Sequence, residues 1–156
     1  YEAREILAGN EVVLDSGARL TLVGVDCPRI GNDAHNGMLA RKHGVDRTTV
    51  ERFALLSKEY LTRLIEGEKL AVKLTDSDGD GRILSGYLWT VDDSLMHDPE
   101  TRDVFTGPMY ACVNENVLSN GWGFADDRTQ HAMSEKYEAL EELAKRQKVG
   151  LWMDSR

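Results

Sequence analysis

The sequence predicts a small, mainly β fold: five strands closing on themselves, covered by three helices. Three observations carry this. Two β-rich runs flank an Asp15-Ser16-Gly17 turn in "EVVLDSGARLTLVGV". A second strand pair, "KLAVKLT" and "RILSGYLWT", is joined across "DSDGDG". Sustained helical spacing is confined to two stretches, around Phe53–Ile65 and Tyr137–Ala144. Val, Leu and Thr suit a pleated surface, whereas Asp and Gly supply the turns.

In chain order, a first strand over 2–7 leads into a Gly9-Asn10 turn, and the hairpin that follows ends at Asp26. Residues 29–47 are rich in Gly, Asn and His, lack periodicity and read as a long loop. Thr48 with Glu51 forms a capping-box signature, opening a helix whose apolar face is Phe53, Leu56, Tyr60, Leu61, Leu64 and Ile65 and which Gly67 closes. The second strand pair comes next. A second long insertion, 91–109, is acidic through Asp92, Asp93, Asp98, Glu100 and Asp103. "VNENVLSNG" forms a short helix stopped by Gly121. A longer helix over 134–148 carries Tyr137, Leu140, Leu143 and Ala144, stops at Gly150 and is followed by a Leu151-Trp152 anchor. The order is βββαββαα.

A chain of 156 residues suits a single domain spanning 1–156. Composition is that of a soluble globular chain, 41% hydrophobic and 29% charged, with no apolar run near the ~20 residues a membrane helix needs, so no membrane insertion is expected. The first residue is Tyr1; a targeting peptide could have been removed before it, and the compartment is left open. Cys27 and Cys112 lack metal-site spacing and read as free, packed thiols. His35, His43, His97 and His131 are scattered through predicted loops and read as solvated. Trp89, Trp122 and Trp152 lie at strand and helix ends, where packing is expected. The net charge of −8 disfavours general nucleic-acid binding, although 29–63 holds seven basic residues against four acids. Asp76, Asp78 and Asp80 begin like an EF-hand loop, a weak calcium candidate, but Tyr87 holds the position of the bidentate glutamate and strands flank the stretch.

Taken in order, "GNEVVL", "LVGVDCP", "DGRILSGYLW" and "VNENVLSNGWG" followed by "LEELAKRQKVGLW" resemble the staphylococcal nuclease family. The resemblance covers nearly the whole chain apart from the two long loops. It implies a five-stranded OB-type barrel with three helices. It also implies hydrolysis of DNA or RNA phosphodiesters with one calcium ion held by two aspartates and a backbone carbonyl, two arginines on the phosphate and a glutamate as general base. Metal and guanidinium stabilise the charge of the phosphorane, while the carboxylate aligns water.

Carried onto this chain, the resemblance gives a partial set. Asp26 matches the second calcium aspartate and Cys27 the residue lending its carbonyl. Asn10 replaces the first aspartate with a neutral amide, Thr21 replaces the first phosphate arginine, and Arg82 matches the second. Arg29 stands at the general-base glutamate and cannot accept a proton at neutral pH. At about 5 Å and an effective dielectric of about 20 it would repel a cation by roughly 3 kcal/mol per unit of metal charge. A different register of this loop would offer Asp33 instead.

The expectation leans against enzymatic activity: a degenerate domain serving as a protein-binding or scaffold module within a larger assembly, with no cofactor, or calcium if the site is active. The alternatives are a calcium-dependent nuclease with rearranged ligands and a non-catalytic binder of single-stranded nucleic acid. Loops of this length are usually functional or disordered, and Leu95, Met96 and Phe105 in the acidic insertion are the candidate partner contacts.

Overall fold

The computed structural model describes residues 1–77, 79–92, 109–128 and 130–153, with 92, 109 and 110 described by their main chain alone. The strands β1 (Ala3–Ala8), β2 (Glu11–Leu14) and β3 (Arg19–Leu22) form an antiparallel meander. β6 (Ile83–Asp92) runs parallel to β3, with Leu20 opposite Leu84, and antiparallel to β5 (Leu70–Ser77). Tyr1, two residues before β1, and Leu70, the first residue of β5, exchange two main-chain hydrogen bonds, of 3.0 and 2.8 Å, at the two ends of the path β1-β2-β3-β6-β5. Val12, Leu14, Leu20, Leu22 and Leu88 fill the interior, each at most 1% exposed, and alternate with the outward-facing Arg19 and Thr21. A Cβ on Gly86 would lie 2.5 Å from the Lys73 carbonyl, so β5 and β6 pack as closely as they do only over a glycine.

Three short strands add to the five expected: β4 (Val25–Asp26) pairs with β8 (Phe124–Ala125), and β7 (Met109–Cys112) pairs with the end of β6. The helices number four among the described residues, not three. α1 (Asp33–His43) occupies most of the stretch expected to be a loop. Its buried positions are Asn36, Gly37, Leu39 and Ala40, two of them not apolar, so no stripe marks it. Its ends are nevertheless capped: the Asn32 side chain accepts the His35 N–H at 3.0 Å, and Gly44, at φ 65°, donates its N–H to the Ala40 carbonyl. The helix also takes His35 and His43 out of the loops where they were expected.

α2 (Arg47–Ile65) begins at an Asp46 cap with no side-chain cap bond, so the expected Thr48–Glu51 capping box does not form; Glu51 pairs with Arg47 at 3.0 Å instead. α3 (Val113–Ser119) packs on β6 and on α4 (Ser134–Gln147) and shares the core with α2. Leu143, expected on the apolar face of α4, is 40% exposed, and Glu141 takes the inner position by accepting the Ala125 N–H at 2.6 Å. Asn114, wholly buried, accepts the Leu88 N–H and donates to the carbonyls of Val23 and Gly86, which ties α3 to the barrel. Trp122 stacks on Tyr60 and Trp152 meets Phe124 edge-on, so both indoles pack. Among the described residues no helix is long and apolar enough to cross a membrane. Leu95, Met96, Phe105 and Asp78 lie outside the described residues.

Candidate functional site

The end of β3, the turn between β1 and β2, and the start of α1 bring the candidate residues together. Asp26 ends β4 and is 5% exposed. Isolated there, a carboxylate would be costly, and it is not isolated: His35 Nε2 lies 2.9 Å from Oδ1, and Arg128 Nη2 donates to Oδ2 at 3.2 Å. The same His35 nitrogen is 3.2 Å from the Cys27 carbonyl oxygen. One imidazole nitrogen therefore bridges the two donor atoms that the resemblance assigns to a calcium ion. Arg128 is held in turn by Asp126, at 2.9 Å through Nε and 2.7 Å through Nη2, and its hydrogen bonds hold the Asp126 carboxyl below the usual range.

Asn10 is 3% exposed and faces β4, its Nδ2 donating to the Val25 carbonyl at 2.9 Å while its Oδ1 has no hydrogen-bond partner among the described residues. Beside it Glu11, at 4% exposed, is a second buried carboxylate. Its two oxygens are taken by Arg19, from β3, and by Arg29, whose Nη1 donates at 2.6 Å. Thr21 stands directly opposite Glu11 across the β2–β3 ladder. Glu11 thus balances the charge of Arg29. Its main chain is fixed as well, its N–H donating to Asn36 Oδ1 at 2.8 Å and its carbonyl accepting from Asn36 Nδ2 at 2.7 Å. Asp33 is exposed in the first turn of α1. Arg82 precedes β6, and its carbonyl accepts the Arg19 N–H at 2.7 Å.

Burial, reinforced by the neighbouring Asp26 charge, pushes the Cys27 thiol far above its ordinary range, so it is a packed, unreactive group. Asp76 lies in β5, where its carboxylate accepts the Ser77 N–H. Among the described residues no group of three or more His, Cys, Asp or Glu side chains is placed to hold a metal ion.

Residue-type matching missed Glu11, His35 and Arg128. The first carries one signal, an acid at the mouth of a strand beside Asn10. The other two depend on where α1 and the segment after β8 fold.

No curated protein matches the chain. The sequence profile described as "Staphylococcal nuclease homologue" matches residues 19–154, which leaves Asn10 and Glu11 before the matched stretch and takes in β3, Asp26, all four helices and the Leu151-Trp152 anchor. With most of its length matched, the chain belongs to the staphylococcal nuclease homologue family.

Proposed function

We propose that this domain is a non-catalytic member of the family that works as a protein-binding module within a larger assembly. One observation carries the non-catalytic half: His35 Nε2 sits against both Asp26 Oδ1 and the Cys27 carbonyl. Calcium requires six to eight oxygens at about 2.3–2.6 Å. Here one carboxylate is available, both its oxygens are engaged by the protein's own nitrogen donors, and the first-aspartate position is a neutral amide. This donor set does not fit a calcium ion. The general-base position holds Arg29, a group without a lone pair to give, and Glu11 is occupied by Arg19 and Arg29.

The protein-binding half rests on the acidic composition and on the apolar residues Leu95, Met96 and Phe105 within an otherwise acidic insertion, an allotment that solvation alone does not need. The test is cleavage of single-stranded DNA and RNA with and without calcium. No calcium-stimulated cleavage is expected; calcium-dependent cleavage lost in Asp26→Ala would overturn the reading in favour of a nuclease with rearranged ligands.

A further inference from the structure

A groove of about 730 Å³ runs between the corner joining α1 to α2 and the end of α4, and it shares no residue with the site around Asp26. Half-buried Val45 gives it an apolar edge above the core residues Leu151 and Trp152, which are 2% and 3% exposed, and Lys145, Arg146 and Lys148 give it a basic side, with Asp46 its one carboxylate. On a chain of net charge −8 this is a local reversal of sign. Lys145 is engaged already, with Glu141 and Glu142, and lies 4.8 Å over the Trp152 ring. Arg146 and Lys148 are exposed and have no ion-pair partner among the described residues. His43, on the groove wall, is neutral near pH 7: burial first, then Lys42 and Lys145, lower its pKa to about 4.

Cations at the end of a helix complement its dipole, which explains Lys145 and Arg146. The dipole favours a cation at the Lys148 C-cap as well, but does not account for that residue's backbone conformation. That residue lies beyond the last turn at φ 53°, the one non-glycine residue at positive φ among the described residues, where glycine is the favoured choice and a side chain is strained. A lysine standing against this local preference points to a use for its ammonium group.

We propose that the groove docks an acidic peptide segment of a partner protein, with its carboxylates on Arg146 and Lys148 and an aliphatic side chain against Val45. This rests on the protein-binding reading above and supplies its recognition chemistry. A nucleic-acid strand fits less well. The hollow of about 330 Å³ on the other side of His43 is lined by Asp127, Glu138, Glu141 and Glu142 against the single cation Lys42, so a phosphate backbone leaving the groove that way meets carboxylates.

The test is a titration of the isotope-labelled chain, followed by amide and indole resonances, with a pool of dodecapeptides randomised over Asp, Glu, Leu and Phe. A pool with Asn and Gln in place of the acids and a dodecamer of uridylate run beside it. The acidic pool is expected to shift Val45 and the Trp152 indole, the amide pool to leave them in place, and Arg146→Glu with Lys148→Glu to weaken binding at least tenfold. Lys148→Gly is expected to weaken binding while raising the melting temperature, a split that a purely structural lysine would not give. Unmoved groove resonances, binding undiminished by the double charge reversal, or tighter binding of the oligonucleotide there would each overturn the proposal. Calcium-dependent cleavage by the same preparation would instead remove the non-catalytic reading, without bearing on whether the peptide binds.

Discussion

His35 Nε2 lies 2.9 Å from Asp26 Oδ1 and 3.2 Å from the Cys27 carbonyl, a single nitrogen closing the gap between two oxygens that would otherwise face a cation. The first prediction follows from it. Restoring the residues that differ from the family pattern, through Asn10→Asp, Thr21→Arg and Arg29→Glu together, leaves the imidazole where it is. Calcium binding by calorimetry is expected only when His35→Ala is added. Catalytic parts that act as a unit do not recover singly, so tight calcium binding by the triple variant alone would show that His35 is easily displaced.

Arg29 and Arg19 share the buried carboxylate of Glu11. Arg29→Glu is therefore expected to place a second acid against Glu11, destabilising the fold on the order of 2–3 kcal/mol; this is less than the cost of breaking a fully buried pair because Arg19 remains. Urea unfolding measures it. Adding Glu11→Gln is expected to return most of the loss, and a double-mutant cycle showing no coupling would refute the shared-carboxylate account.

His43 stacks on Phe124, with ring centroids 4.1 Å apart, and its pKa is lowered from 6.5 to about 4 by burial and by Lys42 and Lys145, against the opposing pull of Asp126 and Asp127. The folded state binds the proton less readily than the unfolded chain. Its contribution to stability is therefore full above the unfolded value and is lost as pH falls from about 6.5 to about 4. In His43→Phe, which keeps a ring on Phe124, the fall in urea midpoint over that window is expected to flatten. An unchanged slope would assign it to other groups.

Asn114 satisfies three main-chain groups with one side chain: Leu88 N–H, Val23 carbonyl and Gly86 carbonyl. Asn114→Leu removes the side-chain partner of the Leu88 N–H and of the Val23 carbonyl, while the Gly86 carbonyl keeps the Val23 N–H at 2.9 Å, and costs about 1–3 kcal/mol for each group left unpaired that water cannot reach. A loss of several kcal/mol in urea unfolding is expected. A loss under about 1 kcal/mol would mean that water or a main-chain shift replaces the amide.

The barrel was legible because its signals are local: alternation in β2 and β3, Asp-Gly turns between strands, and apolar spacing on α2. α1 escaped because its inner face holds Asn36 and Gly37 beside Leu39 and Ala40, leaving no periodic stripe, although Asn32 and Gly44 mark its two ends. Losing α1 meant losing His35, whose role exists only once the helix carries it back over Asp26. The compensation at the site is also non-local, since Arg29 reaches Glu11 across 18 residues and Arg128 reaches Asp26 across 102. Matching residue types showed which groups differ from the family; it could not show what neutralises the groups that stay.

The last prediction concerns the acidic insertion, where Leu95, Met96 and Phe105 are the proposed partner contacts. Asp92 and Met109 stand opposite each other in the antiparallel ladder of β6 and β7, so the insertion leaves and re-enters the sheet at adjacent points. A short turn can bridge such a pair, because two-residue loops commonly join antiparallel strands. Replacing 93–108 by a Gly/Ser turn is therefore expected to keep the fold, with a melting temperature within a few degrees of the parent. It is also expected to weaken association with the native assembly in co-purification. The matched substitution Leu95→Ser, Met96→Ser and Phe105→Ser, which keeps the acidic residues, separates apolar docking from simple charge. If both variants co-purify as well as the parent, the insertion is not part of the interface, and the groove beside Lys148 is left as the proposed contact.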